Sequence, residues 1–296
     1  MKRNAWLIAA GAVAATAAAA AAAAVWKVGT ISQKPRWLPN EAVPEMPYEE
    51  IAFASQQSKL HGWLAIPQGA NQCAAVVVAH GWGSNRSRVL RYVGPLFAQG
   101  YAVLLYDARS HGDSEAIHAP SGLMFRDDVR AAVDYLRGQP AVDPERIAVL
   151  GHSLGGYGAL LALDKGLPVR AIVTDSSPLR IDTMVKAELK RKKLPGFPLA
   201  TLIPMVWFRR AGIDRSERRA ADIPAILARN NSGRQVPVYM VHSLNDNFIP
   251  PDDLRELVQQ VAVEHLYVQS AGHSASDGDP QFWSHVIPFL STHLEK

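Results

Sequence analysis

The run Gly151-His152-Ser153-Leu154-Gly155-Gly156 has the form G-x-S-x-G. It sits where apolar residues 147–150 should end as a strand and residues 154–165 begin as a helix. A serine at the tip of so sharp a turn presents its hydroxyl, and flanking glycines permit the close backbone approach the turn requires. A hydroxyl becomes a useful nucleophile only beside a base. His273, in Ala271-Gly272-His273-Ser274 just past apolar residues 265–268, is the best placed of the ten histidines. His80 also ends a strand and is read as ordering its own loop. His152 adjoins the serine and is read as pointing elsewhere. His111 is a loop residue and a pocket-lining candidate. The base needs an acid to fix its tautomer and stabilise the imidazolium. Asp246, just beyond residues 236–241, is the first candidate; Asp175 is the rival and Asp107 a weaker one. Backbone N–H groups of Leu154, at the helix start, and of Trp82, in His80-Gly81-Trp82-Gly83, are the expected donors to a developing oxyanion.

These residues need a scaffold that delivers them to one place. Residues 48–55 and 59–66 read as two strands of a hairpin. Residues 74–80 and 101–106 are continuous apolar runs of the kind buried on both faces of a sheet. Residues 86–99 are helical in pattern and close at Gly100. Residues 125–137 repeat apolar positions at helical spacing and close at Gly138. Further strands are expected at 147–150, 169–173, 236–241 and 265–268, with helices at 154–165, 252–261 and about 280–294. Strands alternating with helices imply a mostly parallel sheet covered on both faces. Ligands of such sheets gather beyond the carboxyl ends of the strands. The chemistry is therefore expected after His80, Tyr106, Leu150, Val173, Val241 and Val268, which is where the candidate residues lie.

His80-Gly81-Trp82-Gly83, the run from Asp107 to Ser114 (DARSHGDS), Gly151 to Gly156, Asp246 and His273, in that order, resemble the α/β-hydrolase superfamily. They are similar in particular to its prolyl-oligopeptidase-like and esterase branches. The resemblance covers roughly residues 48–294. It implies an α/β-hydrolase fold with a mostly parallel eight-stranded sheet, helices on both faces and a helical lid insertion. It also implies the same triad and oxyanion roles, and chemistry without a metal or an organic cofactor. Peptidase members commonly carry a second glycine where this chain has His152. Gly-His-Ser is more typical of esterases, lipases and thioesterases. An ester or acyl substrate is therefore expected, ahead of a peptidase, an amidase or an acyltransferase.

Composition sets wider bounds. The 296 residues are 48% hydrophobic and 20% charged, which is globular rather than disordered. A net charge of +4 is too slight to imply nucleic acid. The single cysteine, Cys73, rules out an intrachain disulfide and is expected to pack as a small hydrophobe. Lys2 and Arg3 precede an uncharged, alanine-dominated run from residue 5 to Trp26, long enough to span a bilayer. Residues 1–27 are read as a membrane anchor, with Trp6 and Trp26 near its ends and the catalytic domain outside the cytoplasm. The alternative is a signal cut near Ala22 to Ala24, giving a secreted or periplasmic protein. Residues 28–47, with four prolines, are read as an extended linker to a hydrolase domain at 48–296. Residues 176–235 interrupt the alternation and are expected to form the lid. There, basic residues flank an apolar stretch from Leu194 to Phe208. That pattern gives either a solvated basic face over an apolar underside, or a tip that docks on an anionic membrane.

Overall fold

The computed structural model describes the backbone of residues 2–295 and the side chains of residues 11–295. After a long first helix, α1 (Lys2–Ser32), the strands β1 (Glu49–Ser55) and β2 (Ser58–Ala65) form the expected antiparallel hairpin. Six further strands follow: β3 (Cys73–Ala79), β4 (Ala102–Tyr106), β5 (Val142–His152), β6 (Ala171–Asp175), β7 (Val238–Ser243) and β8 (Glu264–Val268). They make one eight-stranded sheet in the order β1-β2-β4-β3-β5-β6-β7-β8. Only the pairs β1–β2 and β2–β4 are antiparallel. The remaining pairs are parallel, which requires a crossover between consecutive strands and so places helices on the faces.

The continuous valine and leucine runs are explained by burial on both sides. Val77, Leu104, Val149 and Ile172 face a layer made by α3 (Gly122–Arg137), α4 (Leu154–Asp164) and later helices. Val76, Val103, Leu150 and Val173 face the opposite layer, where α2 (Val93–Ala98) and the C-terminal helix, residues Pro280 to Leu294, pack. Each such side chain contributes about 1.5–3 kcal/mol when fully buried, so the two clusters dominate the stability of the fold. Cys73 opens β3, half-buried against the first cluster, as a small hydrophobe would.

The helix expected over 86–99 is split. Residues Arg86–Tyr92 form a 3₁₀ segment and only Val93–Ala98 is α-helical. Pro95 has no N–H to donate back into the preceding turn, which breaks the hydrogen-bond ladder there. Gly100 closes the element with φ +79°, as its C-terminal position suggested.

Between β6 and β7 the chain builds α5 (Ile181–Arg191), α6 (Leu199–Arg210), α7 (Arg215–Ala220) and α8 (Ile223–Ser232). Ile223, Ile226 and Leu227 of α8 are buried in the main core beside α4, so α8 belongs to the helical layer on the sheet. The part that stands off the core is α5 to α7, with a small cluster of its own at Val185, Leu189, Ala200 and Ile203. The last two helices are α9 (Asp252–Gln260) and α10 (Pro280–Leu294).

The N-terminal helix runs beyond the expected end of the apolar segment, through Val28 to Ser32. Nothing before Pro35 opposes helix, and this last stretch packs against α6. Residues Gly11–Ser32 are long and apolar enough to cross a membrane. Trp26 is 46% exposed, and the side chain of Trp6 lies outside the described residues. The proline-rich segment that follows is extended but strapped to the domain. Trp37 Nε1 donates to Gly112 O at 2.9 Å, Asn85 Nδ2 donates to Leu38 O and Pro39 O, and Asn40 Nδ2 donates to Asp107 Oδ2 at 2.8 Å.

Candidate active site

Ser153 stands between the end of β5 and the start of α4, at φ +53° and ψ −123°. A non-glycine residue there carries about 1–3 kcal/mol of backbone strain, held in place by its surroundings. The glycines around it are required by contact. A Cβ at Gly155 would lie 2.2 Å from Ala79 O, and one at Gly151 would lie 2.3 Å from Gly156 N. A Cβ at Gly81 would lie 2.7 Å from Ser153 Cβ, which shows how closely the Gly81-Trp82 backbone approaches the serine. Leu154 begins α4, so its N–H belongs to the helix turn that has no intrahelical acceptor.

His273 and Asp246 come from the loops after β8 and β7, and the structure joins them directly. His273 Nδ1 donates to Asp246 Oδ2 at 2.7 Å. The other carboxylate oxygen accepts the N–H groups of Phe248 and Ile249 at 2.8 and 2.9 Å, which fixes the carboxylate in its turn. With Nδ1 as donor, Nε2 keeps its lone pair. Ser153, His273, Leu154 and Trp82 all line one cavity of about 1920 Å³. Among the described residues no hydrogen bond joins Ser153 Oγ to the His273 ring, whose one side-chain hydrogen bond is to Asp246.

The rival acids have other partners. Asp107 is fully buried and accepts from Arg86 N at 2.7 Å, the Arg86 guanidinium and Asp113 N at 2.9 Å. It staples the loop after β4 to the 3₁₀ segment. Asp175, also fully buried, accepts from Tyr92 Oη at 2.5 Å and Ser176 Oγ at 3.0 Å, and lies 3.5 Å from His152 Nδ1. Burial alone would raise its carboxyl, but His152, Arg91 and Tyr92 hold it below the usual carboxylate range.

The other histidines differ in part from expectation. His80 orders its loop: Nδ1 donates to Gly81 O at 2.8 Å and Nε2 accepts from Ala108 N at 2.9 Å, tying the Gly81-Trp82 strand end to the loop after β4. His111 does not line the cavity. It is buried against His80, Trp82 and Phe125, because the tight turn after Asp107 folds it inward. His152 does not point away from the site. Its ring centroid is 4.9 Å from that of His273, and Ser274 Oγ lies 3.3 Å from its Nε2. One further contact carries no signal in the residue pattern: Arg191, at the end of α5, lies 3.7 Å over the Phe248 ring, which stacks on His273 at 5.5 Å.

Burial pushes His80 and His152 down to about 4 and His111 to about 3. All three are therefore neutral in the folded protein at pH 7. An unfolded histidine titrates near 6.5, so below that value the unfolded chain binds protons that the folded chain refuses. Stability is then fully present above pH 6.5 and declines as pH falls toward about 4. The melting temperature is expected to drop steadily between pH 7 and about 4.5. A flat profile over that interval would contradict the neutral burial of these rings.

Among the described residues, no group of three or more histidines, cysteines and carboxylates is arranged to hold a metal ion. The cavity lining is instead cationic, with nine lysines and arginines against Asp182, Glu188 and Asp222.

Comparison with known proteins bears on the family and the fold. The family described as serine aminopeptidase, S33, matches residues 70–215. The Rv2307c protein of Mycobacterium tuberculosis is 30% identical over 222 residues, covering 74% of this chain and 69% of that protein. The YfhR protein of Salmonella typhimurium is 29% identical over 225 residues, covering 71% and 68%. A solved esterase of Pyrococcus furiosus, Pf2001, superposes with a TM-score of 0.69 at 21% identity, covering 88% of this chain and 98% of its own. The family match, the 30% identical relative and the eight-stranded, mostly parallel sheet make the chain a member of the α/β-hydrolase superfamily.

Proposed function

We propose that the protein is a serine hydrolase that cleaves carboxylic esters, thioesters included, through an acyl-serine intermediate. The observation that carries the reading is the 2.7 Å His273–Asp246 pair on the same cavity as the strained Ser153. His273 Nε2 takes the proton of Ser153 as Oγ attacks the acyl carbon. The resulting oxyanion is received by the N–H groups of Leu154 and Trp82. The imidazolium, held by Asp246, returns the proton to the leaving alkoxide or thiolate as the carbon–heteroatom bond breaks. A water deprotonated by the same ring then attacks the acyl-enzyme, and collapse releases the acid and restores Ser153.

The S33 description raises a second reading, an aminopeptidase using the same triad. Such an enzyme must hold a protonated amino terminus, which calls for carboxylates around the site. The lining here has a large excess of cations, and this favours an ester with a neutral or anionic body. A panel of p-nitrophenyl esters and aminoacyl-anilides separates the two. Ester turnover is expected to exceed anilide turnover by at least about a hundredfold in kcat/KM. The reverse order would establish the peptidase, and transfer of the acyl group to added alcohol in preference to water would establish an acyltransferase.

The same reading places α1 in a membrane as an uncleaved anchor, with the hydrolase domain outside the cytoplasm. Its support is the length and apolar character of Gly11–Ser32. A signal cut near Ala22 to Ala24 is the alternative, and mass spectrometry of the mature N-terminus decides between them.

A further inference from the structure

The last turn of α1 lines the cavity. Val28, Ile31, Ser32, Gln33 and Lys34 share it with Ser153 and His273. This stretch is clamped to α6 by a tight packing contact and reciprocal hydrogen bonds. A Cβ at Gly29 would lie 2.7 Å from Val206 Cβ and Cγ1, so only glycine permits the approach. Trp207 Nε1 lies 3.0 Å from both Gly29 O and Ser32 Oγ, and Gln33 Nε2 donates back to Trp207 O at 3.0 Å. Gln33 is 3% exposed, so this joint between α1 and α6 is closed to solvent.

Charge and shape describe that occupant. Arg91, Arg180, Arg191 and Lys192 have carboxylate partners. Lys34, Arg88, Arg215 and Arg219 line the cavity with none among the described residues. The same rim exposes Ile31 and Leu194, and nearby Phe197 is 87% exposed. Unpaired cations beside an apolar lip suit an amphiphile with an anionic head. The cavity also exceeds the range of about 300–1,000 Å³ that encloses a small compact ligand, which leaves room for an acyl chain.

We propose that the end of the N-terminal helix is a working wall of the substrate pocket, and that this pocket takes a long-chain acyl ester with a phosphate-bearing head, delivered from the membrane in which α1 is seated. The assignment rests on the serine-hydrolase reading and specifies its substrate. Arg215, Arg219 and Lys34 attract the phosphate. Ser153 then receives the ester carbonyl from a chain held in the cavity that α1 and α6 both line.

The test uses the full chain in phosphatidylcholine vesicles and measures fatty acid released from monoacyl glycerophosphate and from monoacyl glycerophosphocholine of the same chain length. The phosphate head is expected to be favoured by about tenfold or more in kcat/KM. The double variant Arg215→Gln/Arg219→Gln is expected to bring the ratio close to one. Gly29→Leu, which drives a side chain into Val206, is expected to lower the long-chain rate relative to that on p-nitrophenyl butyrate by about tenfold. Each readout is a ratio within one variant, so loss of folded protein cancels. Equal use of the two heads, or a ratio indifferent to the arginines, would overturn the anionic assignment. An unchanged chain-length ratio in Gly29→Leu would overturn the wall. Equal turnover of the phosphate ester as a free monomer and in vesicles would replace membrane delivery with a soluble source. Failure to hydrolyse any ester, with Ser153 unlabelled by a fluorophosphonate, would remove the hydrolase reading itself.

Discussion

Ser153→Ala is expected to lower kcat on an activated p-nitrophenyl ester by at least about a thousandfold, and by as much as about a millionfold. In the proposed mechanism the hydroxyl forms the covalent bond, so no neighbour is expected to replace it. The cavity holds Ser274 as well, but that hydroxyl faces His152 and sits outside the turn that Leu154 and Trp82 serve. The remaining activity would come from the oxyanion donors and binding alone. Ser153 Oγ is not used to hold the fold: its elbow is kept by the Ser153 N–H bond to Asp175 O at 2.8 Å and by the glycine contacts. The variant should therefore melt as the parent does. A variant that keeps full activity would show that another group attacks the substrate.

The second large effect distinguishes the two buried carboxylates. Asp246→Asn is expected to reduce kcat by about ten-thousandfold. The amide oxygen can still accept from Phe248 and Ile249, so the turn survives. The NH₂ then faces His273 Nδ1 and forces that nitrogen to become an acceptor. Nε2 is left protonated and cannot take the serine proton. Asp175→Asn should act differently. It removes a buried charge from Tyr92, His152 and Arg91, so melting temperature falls, while kcat changes by no more than about tenfold. If Asp175→Asn were the more damaging to kcat and Asp246→Asn nearly silent, the acid would have been misassigned.

Much of this was legible in the sequence because each proposed reacting group follows a strand, and a strand buried on both faces announces itself as an unbroken apolar run. Residues 74–80, 101–106 and 236–241 correspond to β3, β4 and β7 within a residue or two. Ser153, Asp246 and His273 are then placed by the rule that loops at the carboxyl ends of parallel strands converge. Legibility failed where tertiary contact decides. The apolar face of α8 reads the same whether it packs on the sheet core or under a lid, and only the neighbouring α4 settles it. His152 is fixed by Asp175 and Ser274, which lie far from it in the chain. The approach of α1 to α6 depends on one glycine, Gly29, whose role cannot be told from that of any other glycine in an apolar helix.

The insertion shows the same limit in energetic form. Its ion pairs, such as Lys186–Asp182 and Lys192–Glu188, join exposed side chains on one helical turn and each contributes about 0–1 kcal/mol. They do not decide where α5 to α7 sit. The small cluster at Val185, Leu189, Ala200 and Ile203, together with the Trp207 contacts to α1, does. An insertion held by so few buried contacts is the part of the molecule best suited to move.

The most direct measurement is peptide mapping of the protein, and of Asp246→Asn, after reaction with a fluorophosphonate. One stoichiometric adduct is expected, on the peptide carrying Ser153, with its formation suppressed in Asp246→Asn. An adduct on a different serine, or a Ser153 adduct that forms equally fast in Asp246→Asn, would contradict it.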